Sequence, residues 1–166
     1  MARNKGIEDS EAKLKSRHMG GATWFYWIAA LSLINSVVIL MGSEWSFIIG
    51  LGVTQFVDGV AANVAQQAGA EAAPIIKATA FAVDFVIAAF FVAFGIFAVK
   101  RQAWAYIMGM VLYAMDALLF LLAGDMLSIA FHAFALACIF NGLLASLKMD
   151  KAGAVAQPPA PPALPA

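Results

Sequence analysis

Three ionisable side chains interrupt the long apolar runs of this sequence. Asp84, Asp116 and His132 each lie well inside such a run, and a fourth polar residue, Asn35, lies inside the first of them. An ionisable group within lipid costs on the order of 3 kcal/mol, so it needs a partner or a function. Two carboxylates and an imidazole can bind a cation, relay a proton or bind a small hydrogen-bonding ligand. These four residues are therefore the candidate site for a ligand, a proton or a cation.

The four polar residues also share a similar depth. Each lies about seven to ten residues from the outer end of its apolar run. At 1.5 Å per helical residue, this places all of them roughly 10–15 Å below the outer surface. Two interpretations remain open. The layer is either a functional site reached from outside, or a set of interhelical hydrogen bonds worth about 0.6–2 kcal/mol each.

Four apolar segments must position these residues. Of the 166 residues, 63% are hydrophobic and 12% are charged, which is more apolar surface than a soluble domain buries. A segment of about 20 apolar residues matches the roughly 30 Å hydrocarbon core of a bilayer. The predicted spans are residues 22–41, 75–99, 103–123 and 126–147. We therefore predict an all-α integral membrane protein whose residues 22–147 form a four-transmembrane-helix antiparallel bundle.

Basic residues predict the orientation of the chain. Lysines and arginines cluster in the polar leader (residues 1–21), in the loop after the second span and in the tail (residues 148–166). The positive-inside rule then predicts that both termini are cytoplasmic. The small size, the short loops and the lack of a eukaryotic sorting motif lead us to expect the cell inner (cytoplasmic) membrane of a bacterium. Charged pairs at helical spacing in the leader predict a short helix that ends at Gly20 and Gly21. The Ala- and Pro-rich tail is predicted to be disordered.

An amphipathic segment, residues 47–67, separates the first two spans. Apolar residues recur at helical spacing from residue 53 to residue 64, whereas Gln55 and Asp58 fall elsewhere on the helical wheel. This pattern predicts a helix that lies in the outer interface or re-enters the membrane. A fifth crossing would move the basic loop after the second span to the outer side. Gln55 and Asp58 are the expected mouth of the candidate site.

Three hypotheses for function follow. The first is a small multi-pass membrane protein whose outward-facing intramembrane pocket binds or conducts a proton, a cation or a small ligand. The second is a structural or assembly subunit of a larger membrane complex, in which the polar layer only holds the helices together. The third, an intramembrane enzyme, is disfavoured because no serine lies in a GxSxG or GxSG motif.

The composition also limits the cofactors and partners. The chain has one cysteine, Cys138, and two histidines, of which His18 precedes the first span. A Cys-based zinc site and a dithiol redox pair are therefore excluded, and a haem would need a second copy to supply its other axial histidine. We predict no cofactor and leave the metal open. Zero net charge gives no indication of a nucleic-acid partner. The expected partners are the lipid bilayer and either further copies of the chain or subunits of a membrane complex.

Overall fold

The computed structural model describes residues 2–41 and 50–156, with side chains for 8–41 and 50–152. Its helices are α1 (Ala2–Leu40), α2 (Gly52–Ala68), α3 (Ala73–Val99), α4 (Ala103–Ala123) and α5 (Met126–Ala156). The described residues contain no strand. Four of the helices, α1, α3, α4 and α5, are long and apolar enough to cross a membrane. The described part of the chain is therefore all-α, with four candidate membrane spans.

The first helix differs from the sequence prediction. We expected a short leader helix that ends at Gly20 and Gly21, but α1 continues through both glycines as one helix. Gly21 is in the closest contact between α1 and α5, where a Cβ built on it would lie 2.5 Å from the Cα of Gly142. The glycine that resembles a helix end is therefore a packing residue, because only glycine lets two helix backbones approach so closely.

The last helix is also longer than the predicted span. It continues past residue 147 to Ala156. Arg101, in the α3–α4 loop, forms a half-exposed ion pair of 3.1 Å with Asp150 on this extension. Residues 157–166, which hold the Pro-rich part of the predicted disordered tail, lie outside the described residues, as do residues 42–49.

A two-residue connection joins α4 to α5. Gly124 ends α4 in the left-handed conformation, with φ of 74°, which glycine adopts without steric cost. Asp125 then caps α5, since its carboxylate accepts hydrogen bonds from the backbone N–H groups of Leu127 (3.2 Å) and Ser128 (3.1 Å) and from the Ser128 hydroxyl. The bonds from Ser128 lower the pKa of Asp125 below its usual value. The capping carboxylate is therefore ionised at neutral pH.

Replacing Asp125 with alanine is expected to destabilise the protein by about 1 kcal/mol, the usual cost of losing an N-cap. Because the pKa of Asp125 is lowered in the folded state, its contribution is present at neutral pH and is lost as the pH falls through that pKa. Unfolding by SDS in mixed micelles, followed by circular dichroism at neutral and acidic pH, measures both effects. Asp9→Ala, an exposed acid on α1, is the matched control, and an equal loss in both variants would contradict the cap.

The long helices enclose an aromatic core. α1 packs against α3 and α5, and α4 packs against α5 and α3. The fully buried side chains between them include Phe25, Ile28, Tyr106, Tyr113 and Ile139. Large apolar side chains also cover the outside of the helices, among them Leu122, which is 87% exposed. Such a surface fits helices that contact lipid rather than water.

The short helix α2 turns the polar side of its first half inward, whereas the polar residues of its second half are exposed. Its apolar side chains Phe56, Val60 and Val64 are exposed, whereas Thr54 and Asp58 are buried against the long helices. α2 packs mainly against α3 and also contacts α1 and α4. This is the reverse of the arrangement in a water-soluble protein, where the apolar stripe faces the core. The exposed stripe therefore suits contact with lipid along α2.

Candidate functional site

The structure brings Asp116 and His132 into direct contact. The two residues lie on α4 and α5, on either side of the short connection, and Nε2 of His132 is 3.0 Å from Oδ2 of Asp116. Both side chains are almost fully buried. Nδ1 of His132 lies 2.8 Å from the carbonyl oxygen of Ser128. The imidazole is therefore held at both of its nitrogens.

The hydrogen bonds of this pair indicate where its protons lie. The Ser128 carbonyl can only accept, so Nδ1 of His132 carries a proton. The carboxylate of Asp116 accepts backbone N–H groups at both oxygens, from Gly52 at 2.7 Å and from Val53 at 2.8 Å. Two such donors stabilise the ionised carboxylate. The proton between Asp116 and His132 is therefore assigned to Nε2, which makes the pair an imidazolium and a carboxylate.

Two aromatic rings enclose the imidazole of His132. The ring of Tyr113 stacks on it at a centroid distance of 4.2 Å and an angle of 18°, and Phe120 lies 5.0 Å away on a tilted plane. A protonated imidazole is attracted to the face of an aromatic ring. These contacts fix the orientation of His132 and exclude bulk water from the ion pair.

The N-terminus of α2 is anchored at this pair. Asp116 acts as its cap from another helix, because Gly52 and Val53 are the first two residues of α2. The preceding backbone N–H, of Leu51, donates to the hydroxyl of Ser32 on α1 at 2.8 Å. A helix N-terminus carries a partial positive charge that favours a carboxylate. The first turn of α2 therefore lies beside the C-terminal parts of α1 and α4, at the level of the ion pair.

A second acidic cluster lies further along α2. The hydroxyl of Ser36, one turn from Ser32 on α1, donates to Oδ2 of Asp84 on α3 at 2.8 Å. Asp58 lies close enough to Ser36 and Asp84 to interact with both. Asp84 is fully buried and Asp58 is 8% exposed. The structure thus places two carboxyl groups beside one hydroxyl, and Asp58 is part of the site rather than only its mouth.

One oxygen of each carboxyl group in this cluster lacks a hydrogen-bond donor among the described residues. Oδ1 of Asp84 and Oδ2 of Asp58 are both enclosed, and neither has a hydrogen-bond donor among the described residues. Two carboxylates in contact repel each other, and the arrangement becomes favourable when they share one proton. The acid pair Asp58–Asp84 therefore has carboxyl oxygens without a donor in the described part of the chain, whereas each hydrogen-bonding atom of the Asp116–His132 pair has a partner.

A small cavity leads from Asp58 toward the C-terminal end of α1. It has a volume of about 50 Å³ and is lined by Asp58, Lys77, Leu40 and neighbouring small side chains. Lys77 is exposed on α3. A volume of about 10–15 Å³ is enough for one water molecule when polar partners are present. The cavity is therefore wide enough for water to reach the carboxyl group of Asp58.

The two remaining predicted residues are also within the polar layer. Asn35 is fully buried on α1, on the same side as Ser32 and Ser36. Gln55 is half-buried in the first turn of α2, and its amide nitrogen is enclosed without a hydrogen-bond partner in the described part of the chain. Four of the six predicted residues thus form the ion pair and the acid pair, and Asn35 and Gln55 lie beside them on α1 and α2.

Sequence reasoning missed the serines that connect this region. Ser32 and Ser36 were considered only as candidate nucleophiles. In the structure, the Ser36 hydroxyl donates to Asp84, and the Ser32 hydroxyl accepts the backbone N–H of Leu51. A signal was present, because Ser32, Asn35 and Ser36 have the i, i+3, i+4 spacing that places three side chains on one helix face. A polar stripe on an otherwise apolar helix predicts the face that meets the other polar groups.

His18 is the second correction. We expected it in a solvated leader, but it is 3% exposed at the end of the bundle core opposite the polar layer. Nε2 of His18 is 3.2 Å from the carbonyl oxygen of Val99, and Nδ1 is 3.0 Å from the hydroxyl of Tyr106. The Tyr106 hydroxyl also lies 3.0 Å from the carbonyl oxygen of His18. These bonds tie α1 to the end of α3 and the start of α4.

The described residues offer no ready metal centre. Among residues 2–41 and 50–156, no group of three or more histidine, cysteine, aspartate or glutamate side chains could hold a metal ion. The acid pair supplies two carboxyl groups and one hydroxyl. This donor set suits a shared proton better than a metal ion, which prefers more ligands.

No known protein family, curated protein or solved structure matches this chain. The functional interpretation therefore depends on the geometry of its own residues.

Proposed function

We propose that this protein is a four-helix antiparallel bundle of the cell inner membrane that binds a proton at the acid pair Asp58–Asp84. The observation that carries the proposal is the pair of enclosed carboxyl oxygens, one on each residue, without a donor among the described residues. A shared proton supplies the missing donor and removes the repulsion between the carboxylates. Both termini are cytoplasmic in this proposal, so the pair is reached from the outer side.

The Asp116–His132 pair has a structural role in this proposal. Each of its hydrogen-bonding atoms already has a partner, and the carboxylate also caps α2. A satisfied pair offers little to a ligand, whereas an unsatisfied pair gains from one. The ion pair thus fits the hypothesis of a polar layer that holds the helices together. The acid pair fits the hypothesis of a pocket that binds a proton.

The core between the polar layer and His18 supports binding rather than conduction. Ser32 and His18 are fourteen residues apart on α1, which corresponds to about 21 Å. The residues of α1 that are buried between them are Gly21, Ala22, Phe25, Ile28 and Ala29. Proton transfer needs a continuous series of hydrogen-bonding groups or waters. The described residues place an apolar layer across that route, so we propose exchange with the outer side only.

Infrared spectroscopy of the reconstituted protein tests the shared proton. We expect the carbonyl band of a protonated carboxylic acid near neutral pH, which disappears as the external pH is raised. Asp84→Asn and Asp58→Asn should each make the band disappear at a lower external pH, because the remaining carboxyl group is no longer repelled by a second carboxylate. Asp9→Asn, an exposed acid on α1, should leave it unchanged. A band whose pH dependence is the same in both pair variants as in the wild type would rule out this site.

Proton flux into liposomes separates binding from conduction. Vesicles that contain the protein, a trapped pH dye and valinomycin should acidify no faster than empty vesicles after an external pH jump. A steady flux that Asp84→Asn abolishes would contradict the apolar barrier while still supporting a role for the pair. No flux together with no carboxylic acid band would contradict the proposed function as a whole.

A further inference from the structure

A polar groove lies between α1 and α5, next to His18 and far from the acid pair. Its volume is about 310 Å³, and it is lined by Arg17, Gly20, Gly21, Trp24, Cys138 and Asn141. None of these residues contributes to the candidate site described above. The groove lies at the end of the bundle that the positive-inside rule assigns to the cytoplasm.

Arg17 is a cation without a counterion. Its side chain is exposed, and in the described part of the chain it forms neither an ion pair nor a side-chain hydrogen bond. Asn141 adds an exposed amide from α5 on the opposite wall. A guanidinium binds a phosphate through two parallel hydrogen bonds, and an amide can add a third donor. The polar part of the groove therefore suits a phosphate group.

Two glycines create the space for this group. Gly21 meets Gly142 in the close contact of α1 with α5, whereas a Cβ on Gly20 would have no atom within 4 Å. The missing side chain at Gly20 leaves an open notch beside the helix contact. A larger residue there would fill the groove without disturbing that contact.

The groove continues onto an apolar surface. The indole of Trp24 packs edge-on against Phe134 of α5 at a centroid distance of 5.4 Å, and Phe134 is itself 56% exposed. Tryptophan prefers the boundary between headgroups and acyl chains. A molecule that fills the groove and covers this surface has a phosphate at one end and acyl chains at the other.

We propose that this groove binds an anionic phospholipid of the inner leaflet, with its phosphate on Arg17 and its acyl chains along Trp24 and Phe134. Arg17 supplies the complementary charge, and the apolar surface distinguishes a lipid from a soluble phosphate. The proposal uses the orientation inferred from the basic residues but does not depend on the acid pair.

The single cysteine of the chain reports on occupancy. Cys138 is half-buried and lines the groove, so a lipid there should protect it from an uncharged maleimide. The full-length protein is placed in nanodiscs of phosphatidylcholine alone or with phosphatidylglycerol, and the labelling rate is measured. We expect phosphatidylglycerol to slow labelling about fivefold, the factor that one basic residue contributes near an anionic surface.

Two variants with matched controls test the assignment. Arg17→Gln should remove the effect of phosphatidylglycerol on labelling, whereas Lys15→Gln, on another face of α1, should retain it. Gly20→Leu should reduce the phosphatidylglycerol that native mass spectrometry finds on the protein, whereas Gly59→Leu, also in open space, should not. Equal protection in Arg17→Gln and the wild type would overturn the proposal. Protection by inorganic phosphate in phosphatidylcholine nanodiscs would overturn the choice of a lipid.

Discussion

Replacing Asp116 with alanine is expected to destabilise the protein by about 3–5 kcal/mol, the usual cost of removing one partner of a buried ion pair. The change leaves the imidazolium of His132 without its counterion. It also leaves the backbone N–H groups of Gly52 and Val53 without an acceptor in an apolar region. SDS-induced unfolding in mixed micelles measures the free energy, and Asp58→Ala is the control, since Asp58 caps no helix in the described part of the chain.

A double-mutant cycle separates the two parts of this cost. Replacing a buried ion pair with apolar residues of similar volume is often neutral or stabilising. The double variant Asp116→Leu, His132→Phe removes the unpaired imidazolium but still leaves α2 uncapped. We therefore expect partial recovery, with a residual loss of about 1–3 kcal/mol from the unsatisfied N–H groups. Full recovery would show that the cap on α2 contributes nothing, and a small effect of Asp116→Ala alone would contradict the ion pair.

Replacing Gly142 with leucine is expected to have the second large effect, a loss of about 3 kcal/mol. A Cβ on Gly142 would lie 2.7 Å from the Cα of Gly21 and 3.3 Å from two further backbone atoms of that residue. Backbone atoms cannot move aside as a flexible side chain can, so α1 and α5 must separate. Their separation opens the apolar contacts on either side, including those of Phe25 and Ile139 in the core.

The neighbouring glycine provides the control for this experiment. Gly20→Leu adds the same side chain to α1 where a Cβ has no atom within 4 Å, so we expect less than about 0.5 kcal/mol of change in stability. SDS unfolding and size-exclusion chromatography compare the two variants. A similar loss of stability in both variants would indicate that any substitution at these glycines weakens the helix. It would contradict the expectation that the close approach of α1 and α5 makes Gly142→Leu more destabilising.

The sequence by itself determined the environment and the elements of this protein. Apolar runs longer than the bilayer core require helices, because lipid offers no partner for unpaired backbone groups. The four spans follow directly, and so do Gly124 and Asp125 as the connection between the last two. The contact between Asp116 and His132 also follows, because a short turn places residues equally far from it side by side.

Tertiary structure alone decided the roles of the residues within this framework. Periodicity identified α2 as amphipathic, but only the packing shows that the polar side of its first half faces inward and that its first turn binds Asp116. The pattern at Gly20 and Gly21 is the same for a helix end and for a close helix contact, so its meaning depends on Gly142, more than a hundred residues away. In the sequence, the residues of the polar layer form a single group. Only the three-dimensional structure separates an ion pair whose hydrogen-bonding atoms all have partners from an acid pair in which two carboxyl oxygens have none among the described residues. Whether a donor and an acceptor on different helices form a hydrogen bond depends on differences of a few tenths of an ångström in the distance between them. The sequence near each residue does not determine that distance.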